Sequence, residues 1–304
     1  MVSYGGLLQK LKSRHLTKTA LAAQLGISSR TIAKIGRGER IADHVLVRIA
    51  AFLDCTPEEL CRSVSDNALL QTLRDEKHIR MPGGLYHELQ IRMTYNSNHI
   101  EGSRLSEDQT RMIFETNTVD VAGSVPVDDI IETVNHFRAM DYVIDKAEEP
   151  LTEDTVKELH RMLKQGTKDA ALGWFAIGDY KKRANMVGGR KTAAPREVPA
   201  RMNALLSAYE SLHSVSIHEI IRFHHDFERI HPFQDGNGRV GRLIALKECL
   251  RHAIVPFIIE DAKKAFYYKG LSEWEWEKGY LTDTCLDGQD TFKKMMAMFD
   301  LSVE

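Results

Sequence analysis

The first part of the chain carries the pattern of several short helices. Apolar residues at helical spacing from Leu7 predict a first helix, and Thr17 is a suitable N-cap for a second helix that Gly26 would end. Ser28 is a suitable N-cap for a third helix over Ser29 to Ile35. Two short helices joined by a tight turn that contains glycine predict a helix-turn-helix arrangement.

Helical spacing of apolar residues also dominates the rest of the chain. Ser106, Asp128 and Thr152 stand where N-cap or first-turn residues belong. The predicted helices cover Leu85 to His99, Ser106 to Glu115, Asp128 to Lys146, Thr152 to Leu163, Val198 to Leu212, Ile217 to Arg229, and a run from Leu243 to Leu250. We therefore expect an all-α fold, with an N-terminal helix-turn-helix bundle followed by a larger helical domain.

One segment between Gly178 and Pro195 does not follow the helical pattern. Asn185-Met186-Val187 and Lys191 to Ala194 flank the glycine pair Gly188-Gly189. Two short extended pieces around such a pair predict a β-hairpin, which the polar flanks would leave exposed. An irregular loop explains the local pattern equally well.

The pattern also suggests where the chain divides. Residues 63–84 are polar, and Pro82, Gly83 and Gly84 interrupt the helical spacing. A length of 304 residues accommodates about two domains. We expect a first domain over residues 1–65, a linker over residues 66–84 and a second domain over residues 85–304.

Composition narrows the class of protein. With 43% hydrophobic and 28% charged residues, the chain is typical of a globular protein rather than a disordered or collagen-like one. Its four cysteines form no C-x-x-C pair, which argues against a zinc ribbon or a disulfide framework. No apolar run is long enough to span a bilayer and no signal peptide is recognisable, so we expect a cytoplasmic protein without a membrane partner.

The net charge of −2 hides an uneven distribution along the chain. Residues 1–65 hold twice as many basic as acidic side chains, whereas acidic side chains outnumber basic ones in the remainder. A basic first domain is attracted to phosphate backbones, and an acidic second domain as a whole repels them.

The segment from Leu16 to Leu60 resembles the Cro/repressor-type helix-turn-helix family in the order and spacing of its helices. The resemblance implies DNA binding, with Ser29, Arg30 and Lys34 as candidate contacts to bases or phosphates. One recognition helix makes few contacts, so we expect a homodimer on a two-fold DNA site. The alternative is a helical packing or dimerisation module whose basic residues form a solvated face.

The richest chemistry lies in the stretch His231 to Arg242, HPFQDGNGRVGR, between two predicted helices. The stretch is a loop that leads into a helix N-terminus, where free backbone N–H groups and the helix dipole favour a phosphate. Gly236 and Gly238 lack a Cβ, so the backbone can turn sharply and approach an anion.

Each polar residue of this stretch has a chemical use beside a phosphate. Asn237 can donate to a phosphate oxygen, and Arg239 and Arg242 can grip successive phosphates from the first helical turn. Asp235 is a hard oxygen ligand for Mg²⁺, and His231 can accept the proton of an attacking hydroxyl. The set predicts phosphoryl-type transfer. Two alternatives are a purely structural turn, and a transition-metal site formed by His224, His225, His231 and Asp235.

The same stretch matches, without gaps, the H-P-F-x-[DE]-G-N-G-R-x-x-R motif, and in this it resembles the Fic family. The resemblance implies a protein adenylyltransferase, which moves AMP from ATP to a Ser, Thr or Tyr hydroxyl of a target protein, or of itself, and releases pyrophosphate. It also implies a core over about residues 128–255. Related Doc-like kinases have Lys where this chain has Gly238, so Gly238 favours AMP transfer over phosphate transfer.

The resemblance assigns a role to each position of the motif. It implies that His231 is the general base, that Asp235 binds Mg²⁺ and that Asn237 and the loop amides hold the α-phosphate. It further implies that Arg239 binds the β-phosphate and Arg242 the γ-phosphate. The motif contacts the phosphates more than the nucleotide base, so the sequence does not exclude a donor nucleotide other than ATP.

An upstream segment resembles the inhibitory motif [ST]-x-x-x-E-[GN] of one class of Fic proteins. Ser97 and Glu101 would share one face of a helix over about residues 85–102, and Gly102 would end it. The resemblance implies that Glu101 pairs with Arg242 and prevents the γ-phosphate from docking. In some relatives this glutamate also supports removal of AMP from the target, which the sequence leaves open.

Two further features follow from the resemblance alone. The hairpin with Met186, Val187, Gly188 and Gly189 corresponds to the family's flap, which holds a target segment by adding a strand. Tyr267 and Tyr268 lie in the region that closes over adenine in relatives, although core packing explains either tyrosine as well. A function of another class, a DNA-binding regulator whose second domain only senses nucleotide, remains the alternative.

Overall fold

The structure, a computed structural model, describes residues 2–14, 16–37, 39–63, 67–120 and 123–301. The chain divides into two units, Met1–Gln71 and Thr72–Glu304. The expected end of the first domain, residue 65, and the expected start of the linker, residue 66, lie outside the described residues.

The first unit contains short helices and one pair of short strands. The helices are α1 Gly5–Ser13, α2 Lys18–Leu25, α3 Ser29–Gly36, α4 Asp43–Phe52 and α5 Pro57–Leu60, and the strands are β1 Val2–Ser3 and β2 Arg62–Ser63. The antiparallel pairing of β1 with β2 was not expected from the sequence. The strands are too short to show a periodic pattern.

The caps that the sequence predicts in this unit are confirmed. The Thr17 side chain accepts a hydrogen bond from the Ala20 amide at 3.1 Å, and Gly26 ends α2 in the left-handed conformation at φ 59°. The Ser28 side chain accepts from the Thr31 amide at 3.2 Å. The unit's core consists of apolar residues from all five helices and the segments beside them, chiefly Leu7, Leu11, Leu21, Ile35, Ile41, Ile49, Leu53 and Leu60.

The second unit is helical. Its helices are α7 Leu85–Ile100, α8 Glu107–Thr116, α9 Val127–Asp145, α10 Glu153–Lys164, α11 Val198–Glu210, α12 Ile217–Ile230, α13 Asn237–Arg251, α14 Lys264–Glu273 and α15 Gly279–Ala297. Short 3₁₀ turns cover Lys168–Ala171, Pro195–Glu197 and Asp261–Lys263. Each helix predicted between residues 85 and 250 is present to within a few residues of its predicted ends.

Helix α6, Ala68–Ile79, lies inside the stretch that we expected to be a linker. Its apolar residues Leu69, Leu70 and Leu73 are buried and recur at helical spacing. The segment is polar on average, so its composition alone does not indicate a helix with a buried face.

Helix α13 is the centre of the second unit. Its side chains from Asn237 to Leu250 are buried, and α7, α9, α10 and α12 pack around it. A helix buried on all sides needs neighbours on every face, and these four helices supply them. The arrangement fixes the N-terminus of α13 and the loop before it.

The predicted hairpin is confirmed. Strand β3, Met186–Val187, pairs antiparallel with β4, Arg190–Lys191. Gly188 at φ 54° and Gly189 at φ 77° occupy the turn, as a two-residue hairpin with both central residues at positive φ requires. The strand residues are exposed, and the all-α fold class with a small hairpin is confirmed. Among the described residues, no helix has the length and apolar character needed to cross a bilayer.

Candidate active site

The loop between α12 and α13 holds the residues of the predicted motif. His231 ends α12 in the left-handed conformation at φ 53°, and Gly236, at φ 78°, caps α13. Phe233 is fully buried, and its ring stacks on that of His160 at 4.0 Å between centroids. Phe233 therefore anchors the loop in the core.

The Asn237 side chain is bonded to the backbone of its own loop. Its Oδ1 accepts from the Phe233 amide at 2.8 Å, and its Nδ2 donates to the Phe233 carbonyl at 2.9 Å. The side chain is buried and holds the loop closed, and its expected donation to a phosphate oxygen stays a prediction.

A cavity of about 640 Å³ lies over this loop. Such a volume falls within the range of small-molecule sites in proteins. Its lining brings together the loop, the end of α7, the hairpin and α14, through Glu101, Val187, Gly188, Glu228, His231, Asp235, Gly236, Gly238 and Tyr268. Residues far apart in sequence thus meet at one site.

Arg242 is held by the helix that carries Glu101. Its Nη2 donates to Glu101 Oε1 at 2.7 Å and to the Ser97 carbonyl at 2.8 Å, and its Nε donates to Ser97 Oγ at 2.9 Å. Gly102 follows at φ 101°, a conformation that suits glycine and ends α7. Ser97, Glu101 and Arg242 therefore form the contact that the sequence predicts.

Gly238 explains why the Glu101 carboxylate fits above α13. A Cβ at position 238 would lie 2.2 Å from Glu101 Oε1 and 3.0 Å from Arg242 Nη1. The first distance is far below van der Waals contact. The carboxylate therefore occupies the space over the first turn of α13, where an anion is favoured by the helix dipole.

His231 is uncharged at neutral pH. Burial, reinforced by the positive charge of Lys181, lowers the pKa of His231 to about 4. A neutral imidazole is the form that can accept a proton.

Asp235 belongs to a cluster of five charges, together with Lys164, Glu132, Asp169 and Arg239. The buried ammonium of Lys164 lies 2.7 Å from Asp235 Oδ2 and 2.6 Å from Glu132 Oε1. The guanidinium of Arg239 is bonded to Glu132 and lies 3.4 Å from Asp235 Oδ2. Burial alone would raise the pKa of Asp235, but Arg239 and Lys164 lower it well below its ordinary value.

The cluster bears on the expected Mg²⁺ and phosphate ligands. The Asp235 side chain is half-exposed to the cavity and ionised, which suits a metal bound through one carboxylate together with substrate phosphates. No group of three or more His, Cys, Asp or Glu side chains could hold a metal within the described residues. Arg239 is buried against Glu132 and would have to release part of this contact to bind a phosphate.

The base of the hairpin is tied to the motif loop by Lys181. Its Nζ donates to Asn185 Oδ1 at 2.8 Å and to Thr192 Oγ1 at 2.6 Å, and its amide donates to the Pro232 carbonyl at 2.9 Å. Asn185 Nδ2 in turn donates to the Phe233 carbonyl at 3.1 Å. Burial lowers the pKa of Lys181 to about 8. Met186 and Val187 extend from this anchored base and are exposed.

The two tyrosines of α14 differ in position. Tyr267 is 1% exposed and its hydroxyl lies 2.8 Å from His224 Nε2, so its ring is part of the core. Tyr268 is 39% exposed, and its hydroxyl donates to the Ile100 carbonyl at 3.1 Å. Tyr268 is therefore the better placed of the two to meet a ligand. The hydrogen bond between His224 and Tyr267 also leaves the transition-metal alternative without support.

In the first unit, the candidate DNA contacts lie on α3. Ser29 and Arg30 are exposed, and Lys34 is half-buried. Other positive charges of this unit serve the fold, since Arg14 Nη2 donates to the Leu53 carbonyl at 2.9 Å and Lys10 pairs with Glu59 at 2.8 Å.

Four charged residues of the site escape the sequence analysis: Glu132, Lys164, Lys181 and Glu228. Each stands on a helix or loop without a motif of its own. A lysine at an otherwise buried helix position, as at Lys164, was the one available signal, since lysine is seldom buried unpaired.

Comparison with known proteins agrees with both domains. Residues 150–249 match the Fic/DOC family, and residues 7–66 match the Cro/C1-type HTH DNA-binding domain. The chain is 30% identical over 184 residues to the Protein adenylyltransferase Fic of Drosophila virilis, an alignment that covers 58% of this chain and 36% of that protein. The chain thus spans about a third of the length of this relative.

Solved structures share the fold. A Fic-domain-containing signaling protein from Bacteroides thetaiotaomicron superposes with a TM-score of 0.60 at 22% identity, over 77% of this chain and 98% of that one. A fragment of Fic-1 from C. elegans gives a TM-score of 0.61 at 18% identity, over 93% of this chain and 81% of that one. The chain therefore contains a Cro/C1-type helix-turn-helix domain followed by a domain of the Fic/DOC family.

Proposed function

We propose that the second domain is a protein adenylyltransferase that moves AMP from ATP to a hydroxyl side chain of a target protein, or of the chain itself. The observation that carries the proposal is the meeting of His231, Asp235 and the N-terminus of α13 at one cavity. The curated relatives named Protein adenylyltransferase Fic support the same reaction.

The chemistry follows from the position of each group. His231 accepts the proton of the target hydroxyl while its oxygen bonds to the α-phosphorus and the bond to pyrophosphate breaks. The loop amides would hold the α-phosphate, Arg239 and Arg242 would bind the outer phosphates, and Asp235 would hold Mg²⁺. When bound, the metal offsets the negative charge of the phosphates. Tyr268 lies beside the adenine, and the exposed edge of the hairpin adds the target segment as a strand.

We further propose that Glu101 inhibits this transfer. Its carboxylate is bonded to the guanidinium of Arg242 and fills the space over Gly238. A γ-phosphate would need both the guanidinium and this space. Both groups are anions that suit a guanidinium fork, so they compete for one place. Release of Glu101 lets the nucleotide adopt the orientation in which the target oxygen can attack.

The test uses purified wild type, Glu101→Gly and Glu101→Gly/His231→Ala with Mg²⁺ and ATP labelled at the α- or the γ-phosphate. We expect α-label on protein with Glu101→Gly, and much less with the other two. Asp108→Asn is the matched control, because Asp108 is an exposed carboxylate on the neighbouring helix and its loss should leave the rate at the wild-type level.

Other outcomes contradict parts of the proposal. γ-Label would identify a kinase instead. Equal α-label in wild type and Glu101→Gly would remove the inhibitory role of Glu101. Release of AMP from labelled protein by wild type alone would assign Glu101 to the reverse reaction. No label in any sample, with nucleotide-dependent DNA binding, would favour a regulator that only senses nucleotide.

We propose that the first domain binds DNA as a homodimer through α3. The exposed Arg30 and Ser29 at its N-terminal end support this role, as does the match to a DNA-binding domain family. The test is fluorescence anisotropy of the full chain with a DNA fragment from upstream of its own gene. We expect affinity that falls with salt and a slope that Arg30→Ala reduces by about one. Binding independent of salt, or none, would favour the packing module.

A further inference from the structure

One buried carboxyl group of the cavity has no role in the scheme above. Glu228 lies on the last turn of α12, its side chain is 11% exposed, and its Oε2 is 3.8 Å from His231 Nδ1. Within the described residues, neither Glu228 Oε1 nor His231 Nδ1 has a hydrogen-bond partner. Buried polar atoms left unpaired cost stability, and a pair of them beside a reactive group points to a functional constraint.

The fold leaves a space for this carboxyl group. A Cβ at position 241 of α13 would lie 2.8 Å from Glu228 Oε1 and 3.0 Å from His224 Nδ1. Gly241 thus lets α12 and α13 approach while the carboxyl group stays between them. The left-handed backbone of His231 ends α12 within reach of the residue one turn earlier. The position of Glu228 is therefore set by both helices and the loop.

Resting on the proposed AMP transfer, we propose that Glu228 is a positioning residue that holds the proton of His231 on Nδ1 and so keeps Nε2 free as the base. A neutral imidazole carries one proton, and only the nitrogen without it can accept another. Burial and the neighbouring Glu101 carboxylate raise the pKa of Glu228 to about 8, so at neutral pH it is mainly an uncharged carboxyl group. Its carbonyl oxygen accepts Nδ1–H, and hydrogen bonds of this kind are often long until substrate is bound.

The proton and electron balance of the step is simple. The target O–H proton moves to His231 Nε2 as the oxygen–phosphorus bond forms, and pyrophosphate leaves with the electrons of the broken bond. The imidazolium keeps its Nδ1 proton, which stays hydrogen-bonded to the Glu228 oxygen. Glu228 itself exchanges no proton with substrate.

The test compares Glu228→Gln and Glu228→Leu in the Glu101→Gly background. Gln keeps an oxygen acceptor in the same space, whereas Leu keeps volume and removes it. We expect Glu228→Leu to lower kcat about 10- to 100-fold, the rate equivalent of one charge-assisted hydrogen bond, with the KM for ATP unchanged. Glu228→Gln should lower kcat by less than Glu228→Leu does. Glu219→Gln at the start of α12 is the control and should leave kcat unchanged, because Gln also serves at that capping position.

A second measurement separates this role from the reaction. ¹⁵N NMR of His231 reports which ring nitrogen carries the proton, and it requires no AMP transfer. We expect Nδ1–H in the parent and a shift toward Nε2–H in Glu228→Leu. The same tautomer and a kcat within twofold in both chains would overturn the proposal. If the tautomer differs between the parent and Glu228→Leu but the parent transfers no AMP, the positioning role is upheld and the proposed reaction is refuted.

Discussion

Replacement of Lys164 by Met tests whether the charge cluster under the motif loop stabilises the second unit. The Lys164 side chain is 3% exposed, and its ammonium nitrogen pairs with three carboxylates, Glu132 at 2.6 Å, Asp235 at 2.7 Å and Asp169 at 3.1 Å. Met fills a similar volume without a charge. The variant therefore removes the cation and leaves its partners in place.

The size of the effect follows from the exposure of those partners. Loss of one member of a buried pair costs about 3–5 kcal/mol, because the other charge stays buried. Glu132 is 15% exposed, but Asp169 and Asp235 are 22% and 50% exposed, so water screens much of their share. Arg239 also still pairs with Glu132. We expect the low end, about 3 kcal/mol, or a fall in Tm of about 6–12 °C.

Urea unfolding followed by circular dichroism measures this difference. Lys157→Met on the same helix is the matched control, since Lys157 pairs with Glu153 and Asp179 but its side chain is 27% exposed, and its loss should cost less than about 1 kcal/mol. Glu132→Gln added to Lys164→Met should recover part of the loss by removing the unpaired charge. Unfolding of Lys164→Met within 1 kcal/mol of wild type would refute the reasoning.

Three further outcomes are expected. In Glu101→Gly, the rate of transfer should be constant from about pH 6 to 8 and fall only near pH 4. The reason is that burial lowers the pKa of His231 to about 4, and loss of the Glu101 charge lowers it further. A fall near pH 6.5 in the rate profile would contradict this. Gly189→Ala places a Cβ at φ 77° and should raise the KM for a protein target while the KM for ATP stays unchanged in steady-state assays; equal changes in both would count against the hairpin as the docking edge. Thr17→Ala removes the N-cap of α2 and should lower the unfolding free energy of the first unit by about 1 kcal/mol, whereas Thr19→Ala on the same helix should not.

Local signals explain most of what the sequence predicts. The caps Thr17 and Ser28, and the left-handed glycines of the hairpin turn, act through bonds and torsions within a few residues. Such features can be predicted from a single sequence. The motif loop can be predicted for the same reason, because its turn, its glycines and its helix start are adjacent in the chain.

The charge cluster could not be predicted because its members are distant in sequence. Lys164 is 32 residues from Glu132 and 71 residues from Asp235. Their meeting depends on how α9 and α10 pack around α13, which periodicity does not specify. The bonds of Asn237 to Phe233 escaped prediction for another reason, since they join a side chain to the backbone of its own loop and leave no periodic pattern.

The position of Glu101 links the proposed inhibition to the nucleotide site itself. Its carboxylate lies over Gly238 at the N-terminus of α13 because no Cβ stands there, and the proposed phosphate needs the same space for the same reason. A side chain at position 238 would therefore exclude the Glu101 carboxylate and the phosphate from this space together. A change at position 101 would release only the inhibitor, since α7 contributes Glu101 from outside the motif. On this reasoning the two functions can be separated from the side of α7 but not from the side of α13.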